Sequence, residues 1–418
     1  MHRLIYLFLI ILPFSCMKKA EINIPVPNPT SYDMANTPLT EDVFYDKILG
    51  ALVGSAIGDA MGAPTEMWDR NDIQAKFGFV NGLTPVIREK SPEGTWQHNM
   101  ISGSTTDDTR WKMLVGQYLI ENKGEMSPDS FAKFIVTYYQ SLLKGLSNKE
   151  VLNSTDVLED EMEKVDWIKE WARVALVYGK DEVEYAAAQN RFYGGEMACG
   201  GLLYSPMFGL TATSSEKAYR TAFEHSFFDI GYARDLSALA SVMTNLALYH
   251  ESIDTILTET FKVDPFKYKE SRLIGRLSYN MAMEAKGIVQ APIEVEQDQI
   301  FDTPPLNFKG SPEDWYRLNN IYDRLSSTQR SIAFHAGEIW QILIAGLTYG
   351  DGDILKTMQF IVNYGRDNDT VAAIAGMILG AKVGFTGLPV EIRDEVVRVS
   401  KDVMGIDLKE LAKKLVKN

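Results

Sequence analysis

The chain has 418 residues, a formal charge of −14, 45 % hydrophobic residues and two cysteines, Cys16 and Cys199. The acidic balance argues against nucleic acid and anionic membrane surfaces as partners. Two cysteines exclude a disulfide-built scaffold, so the fold must be held by an apolar core.

Met1-His2-Arg3 is a short basic start, residues 4–12 are an apolar run, and Pro13-Phe14-Ser15-Cys16 follows. The run is too short to span a bilayer as a mature helix, which makes residues 1–15 a secretory signal peptide. The Ser15-Cys16 junction resembles the cleavage site of bacterial lipoproteins and predicts lipidation at Cys16, with a plain secreted signal as the alternative. Residues 16–38 are polar and contain Pro25, Pro27, Pro29 and Pro38, the composition of an extended tether. The expected protein is exported and anchored through its lipid, periplasmic or outer-membrane associated. Cys199 then has no intrachain partner, and residues 39–418 form one domain.

Periodicity in that domain predicts an all-α, compact multi-helix fold. Val43, Phe44, Ile48, Ala51, Leu52 and Ser55 follow helical spacing after Thr40, a predicted N-cap. Trp111, Leu114, Val115, Tyr118 and Leu119 make a second stripe, and Phe131, Phe134, Ile135, Tyr138 and Tyr139 a third. Leu236, Leu239, Ala240 and Met243 continue the pattern, as do Ile339, Ile342 and Leu343, then Val371, Ile374, Ala375 and Ile378. Residues 294–301 are the best strand candidate, with a loop excursion as the other reading. His98, His225, His250 and His335 are scattered without metal-ligand spacing. Core or capping roles are expected for His225, placed near a helix start, and for His335. Trp315, Tyr316, Tyr322 and Trp340 read as aromatic core, with a stacking platform for a base or sugar as the other reading.

Two short clusters carry the chemistry. Thr106-Asp107-Asp108-Thr109 and Asp367-Asn368-Asp369-Thr370 each open a buried helical stretch. If the fold joins them, four carboxylates meet and need a compensating positive charge. An all-oxygen donor set suits Mg²⁺ or Mn²⁺, with charge enough for two ions. Residues 50–62 and 372–381 are unusually rich in Gly and Ala. Gly inside a helix costs about 1 kcal/mol relative to Ala, so its repeated use there predicts close backbone approach between central helices. Asp59 sits near the C-terminal end of its helix, where the dipole disfavours an anion. It needs a metal, a backbone N–H or a basic side chain nearby. Glu66 follows the turn-like Gly62-Ala63-Pro64-Thr65, which can hold a carboxylate over a cleft.

Residues 54–66, the Thr106-Asp107-Asp108-Thr109 cluster, and Gly365-Arg366-Asp367-Asn368-Asp369-Thr370 with its Ala/Gly-rich helix together resemble the ADP-ribosylglycohydrolase family, in order and distance, over about residues 44–388. The resemblance implies an all-α domain with a binuclear Mg²⁺ site in a central cleft, hydrolysing the N- or O-glycosidic bond between ADP-ribose and an acceptor. By position it implies metal ligands at Thr106, Asp107, Asp108, Asp367, Asp369 and Thr370. Glu66 matches the glutamate of a mobile loop over the site, and Asp59 an acidic residue supporting the ligands. Arg366 stands where Gly is usual, at the edge of the site, where it is expected to touch the ligand.

The larger departure from the family lies in the middle of the chain. Members that bind ADP-ribose carry a Gly-rich loop with a Met-Arg pair around the phosphates. Here Gly194, Gly195, Gly200 and Gly201 remain, but no Arg follows Met197 and Glu196 is present. The glycines can still offer N–H groups to an anion, yet ADP-ribose recognition is expected to be weakened. The chemistry expected is attack of a metal-held water on an oxocarbenium-like centre, with Asp107, Asp108 or Glu66 as the groups that act on it. The substrate is then a small glycosyl or ADP-ribosyl compound. Two non-enzymatic readings compete: a binding lipoprotein of the same fold that does not cleave, and a helical glycan-capture lipoprotein.

Overall fold

A computed structural model describes residues 39–87, 99–147, 155–296 and 299–417, which fall in one compact unit. The signal, tether and Cys16 expectations lie outside these residues. The helices are α1 (Glu41–Gly62), α2 (Arg70–Phe77), α3 (Asp107–Glu121), α4 (Pro128–Ser147), α5 (Thr155–Val177), α6 (Glu182–Tyr193), α7 (Pro206–Thr211), α8 (Ser215–His225), α9 (Ala233–Ala247), α10 (Ile253–Thr260), α11 (Leu277–Gln290), α12 (Pro312–Ser326), α13 (Ala336–Gly350), α14 (Ile354–Tyr364), α15 (Asn368–Val383), α16 (Val390–Asp402) and α17 (Leu408–Val416). The strands among the described residues are two-residue segments, β1 (Trp68–Asp69) and β2 (Gly365–Arg366), paired antiparallel.

α1 and α15 form the centre, and small residues set their distance. They run antiparallel, so that Gly50 meets Gly380, Gly54 meets Gly376, Gly58 meets Ala372 and Gly62 meets Asp369. A Cβ on Gly54 would lie 2.3 Å from the Gly376 carbonyl oxygen, and one on Gly376 would lie 2.1 Å from that of Gly54. The spacing of four on both helices is the ridge that lets two backbones approach. By length and composition α1 is apolar enough to cross a membrane, but its apolar window is wholly buried inside the domain. Thr40 caps α1 as the sequence predicts, accepting from the Val43 N–H at 3.4 Å.

α3, α9, α13, α14 and α17 surround this pair, and the hairpins α4–α5 and α8–α9 and the α11–α13 pair complete the body. The predicted stripes are its core: Trp111, Leu114, Tyr118, Leu239, Met243, Ile339, Leu343 and Ile374 are all buried. Of the strand candidate, the described residues 294–296 and 299–301 are loop. His225 closes α8 instead of preceding a helix, buried between the Thr221 carbonyl at 2.8 Å and the Tyr118 hydroxyl at 3.1 Å. Burial lowers its pKa to about 4, leaving a neutral core histidine. His335 caps α13, its Nδ1 accepting from the Gly337 N–H at 3.1 Å. Trp315, Tyr322 and Trp340 are buried in the core.

Candidate metal centre

Antiparallel packing brings the N-terminus of α15 beside the C-terminus of α1. α3 is then drawn to the same point by one side chain, Asp59. Its Oδ1 accepts from the Thr106 N–H at 2.9 Å, and its Oδ2 from the Thr109 N–H at 3.0 Å and the Thr109 hydroxyl at 2.6 Å. The carboxylate that the end of α1 disfavours is stabilised by the N-terminus of α3, where N–H groups lack helical partners. Three helix ends therefore meet.

The two clusters lie side by side. The Thr106 hydroxyl donates to Asp369 Oδ2 at 3.4 Å and accepts from the Asp108 N–H at 3.3 Å. The Thr370 hydroxyl donates to Asp108 Oδ2 at 2.9 Å. Candidate ligand oxygens of Glu66, Asp367 and Asp369 lie within 4.8 Å of one another. Asp369 is 2 % exposed and its Oδ1 has no hydrogen-bond partner. A buried oxygen left bare next to two further carboxylates fits a hard divalent cation. Asp107 stands at the edge, half-buried, one residue before the wholly engaged Asp108.

Glu66 follows the 3₁₀ turn Ala63–Thr65 and is 9 % exposed. Its segment is clasped to the second cluster: the Met67 N–H donates to the Arg366 carbonyl at 2.8 Å, and Trp68 pairs with Arg366. Both Met67 and Arg366 have positive φ, 63° and 65°, a conformation that costs a non-Gly residue about 1 kcal/mol or more.

Arg366 is engaged by groups of the protein itself. Its Nε donates to Glu338 at 2.6 Å, and a terminal nitrogen donates to the Arg330 carbonyl at 3.0 Å. Glu338 is 1 % exposed. The residue ties the start of α13 to the second cluster. The middle loop also has a different use from the one expected. The Gly201 N–H donates to buried Asp229 at 2.6 Å, and a Cβ on Gly200 would strike the Tyr193 hydroxyl at 2.2 Å. These two glycines make room for Asp229, whose other contacts are the Ser237 and Tyr193 hydroxyls. Gly194 and Gly195 end α6 with positive φ, and a Cβ on either would meet nothing within 4 Å.

One residue of the centre escaped the sequence reading. Lys112 is 2 % exposed, and its Nζ lies 2.6 Å from Asp108 Oδ1. The i, i+4 spacing on α3 is the signal that locates it. Asp229 and Glu338, lone acids in apolar surroundings, carry no such signal.

Crowding and burial push these carboxyls upward: Asp59 to about 6, Asp367 to about 7, Asp107 to about 8, and Asp369 well above the usual range. Burial is the first cause for each, and Asp108 adds repulsion. In the unfolded chain such groups lose their proton near about 4. Without metal the native state therefore holds more protons than the unfolded state from about pH 4 to 8, and its stability falls as pH rises through that window. Thermal melts in chelator are expected to drop between pH 5 and 8, and Mg²⁺ to restore more stability at pH 8 than at pH 5.

Residues 40–418 match the profile of the ADP-ribosylglycohydrolase family. The chain is 32 % identical over 81 residues to the ADP-ribosyl-[dinitrogen reductase] glycohydrolase of Rhodospirillum rubrum, covering 19 % of this chain and 24 % of that protein. It is 21 % identical over 343 residues to ADP-ribosylhydrolase ARH3 of Gallus gallus, covering 81 % of this chain and 86 % of that protein. Among solved structures, an ADP-ribosylglycohydrolase-related protein complex superposes with a TM-score of 0.55 at 17 % identity, over 90 % of this chain and 99 % of that one, and so shares the fold. The match thus spans about a quarter of the bacterial enzyme and most of the avian one.

Proposed function

We propose that this chain, which belongs to the ADP-ribosylglycohydrolase family, hydrolyses an N- or O-glycosidic bond at a ribosyl or related glycosyl group, with Mg²⁺ as cofactor and Mn²⁺ as a substitute. The observation that carries this reading is the convergence of Glu66, Asp367 and Asp369 around a bare buried oxygen, with Asp107 at the rim.

Bond cleavage passes through an oxocarbenium-like centre, which a water must attack along a fixed line. Glu66, Asp367 and Asp369 would hold the metal, which would supply Lewis-acid chemistry that makes a nearby water more acidic. Asp107 would accept that water's proton. It is the one carboxylate of the two clusters at the half-buried edge, where a carboxylate can reach a water. Asp108 cannot share this task while its two oxygens hold Lys112 and Thr370. Asp59 keeps Asp107 in place by fixing the first turn of α3.

The substrate has little need of a diphosphate. No Arg follows Met197, Glu196 would repel a phosphate, the Gly201 N–H is taken by Asp229 and the Arg366 guanidinium by Glu338. Loss of one charge-assisted contact costs about 1.5–3 kcal/mol, roughly ten- to a hundredfold in affinity. With Mg²⁺ present, kcat/KM for an ADP-ribosyl substrate is expected to stay within a hundredfold of that for the same glycosidic bond lacking the AMP half. A larger preference for the ADP-ribosyl form would restore the diphosphate as a recognition element. We also assign the protein to the exported lipoproteins, with Cys16 acylated and residues 1–15 removed. Mass spectrometry of native protein tests this, and an intact Met1 would end it.

A further inference from the structure

The family resemblance implies two divalent ions shared by six residues of the two clusters, yet hydrogen bonds within the cluster engage both oxygens of Asp108 and the hydroxyls of Thr106 and Thr370. Asp108 spends one oxygen on the Lys112 ammonium at 2.6 Å and the other on the Thr370 hydroxyl at 2.9 Å. The Thr106 hydroxyl is held between Asp369 and the Asp108 N–H. Candidate ligand oxygens of Glu66, Asp367 and Asp369 lie within 4.8 Å of one another, and among them is Asp369 Oδ1, which has no hydrogen-bond partner.

We infer that the Lys112 ammonium takes the place of the second divalent ion, so that the centre of this chain holds one metal, on the Glu66–Asp367–Asp369 side. This rests on the metal-dependent reading above and narrows it. Lys112 is fit for the role because it cannot leave cheaply. It is 2 % exposed on the core side of α3, between Trp111 and Leu114–Val115, and its charge needs the partner it has. Removing Asp108 from a buried pair like this one would strand the ammonium. A divalent ion on Asp108 would in turn face a fixed positive charge 2.6 Å from the oxygen it seeks. Asp108 is therefore a counter-ion that holds Thr370 and, through the Asp108 N–H, Thr106, while the neighbouring carboxylates bind the ion. The consequence for substrate handling is a single point of attachment for ribose hydroxyls, with an ammonium in the adjoining position.

The test is a metal count on the full chain, stripped with chelator, titrated with Mn²⁺ and desalted. Elemental analysis and low-temperature electron paramagnetic resonance are read together. The expected wild-type result is one Mn²⁺ per chain with the spectrum of an isolated ion. Lys112→Met, close in volume and uncharged, is expected to take two, with signal lost to coupling between ions about 3.5–4 Å apart. Lys112→Arg is expected to remain at one. Two coupled ions in the wild type would overturn the inference while leaving metal-dependent hydrolysis in place. No Mn²⁺ at all would overturn both. A folded Lys112→Met that still binds one ion would remove Lys112 from the account. Should that variant fail to fold, the wild-type count alone decides.

Discussion

Asp369→Asn is expected to make the metal-free protein more stable and the enzyme inactive. The two effects have one origin. Asp369 is 2 % exposed, one of its oxygens has no partner, and Glu66, Asp367, Asp108 and Asp59 all act to raise its pKa. At pH 8 the metal-free native state must hold this carboxyl protonated or pay for an uncompensated buried charge. The amide removes that burden, so by the linkage between pKa and stability the metal-free variant is expected to be more stable than wild type at pH 8. The same change deletes the open ligand of the Glu66–Asp367–Asp369 pocket. Loss of the ion removes both the positioning and the activation of water, so kcat/KM is expected to fall at least about a thousandfold, or about 4 kcal/mol. Thermal melts with chelator and with Mg²⁺ check the argument: the variant should melt higher than wild type in chelator and gain nothing from Mg²⁺. A variant that melts lower in chelator would mean that Asp369 stabilises the fold unaided.

Gly58→Ala is the second test, because its sign opposes helix propensity. In an open helical position Ala is favoured over Gly by about 1 kcal/mol. At Gly58 the added Cβ would sit 2.1 Å from the Ala372 carbonyl oxygen and 2.3 Å from its carbon. Both are backbone atoms that no rotamer change can move, so α1 and α15 must part. A loss of about 3 kcal/mol or more is expected, at the upper end for overpacking. Gly287, exposed on α11 with nothing within 4 Å of a Cβ, is the matched control and should gain about 0.5–1 kcal/mol as Ala. Parting the helices also moves Asp59 and Asp369, so Gly58→Ala should weaken Mg²⁺ binding while Gly287→Ala leaves it unchanged. Denaturant titration and calorimetry give the two readouts.

Much of this centre was legible in the sequence because helix ends have their own chemistry. Thr and Asp ahead of an apolar stripe mark an N-terminus wherever they occur, and the four-residue spacing of small residues in α1 and α15 announces backbone contact. The dipole argument required a partner for Asp59, but local pattern could not name it, since Thr106 is 47 positions away. Lys112 was hidden in an apolar stripe, where a cation is read as a surface residue unless its counter-ion is also seen. Gly200 and Gly201 were misleading for a physical reason. A glycine that yields space to a buried carboxylate and one that presents its N–H to a phosphate leave the same letter in the sequence. The anchoring of Arg366 could not be read from the sequence either, because Glu338 lies in a different helix.

The pairing of α1 with α15 also fixes when the centre can exist. Thr370 and Asp108 are 262 positions apart, and Thr106 and Asp369 are 263 apart. These two contacts between the clusters thus each close a loop across most of the domain, a slow class of event in folding. A chain still being synthesised, or cut before α15, owns α1 and α3 but not the ion site they wait for. On the metal-dependent reading proposed above, a divalent ion would have nothing to template during early collapse. It would act on the finished fold alone, as a latch whose strength rises with the logarithm of its concentration.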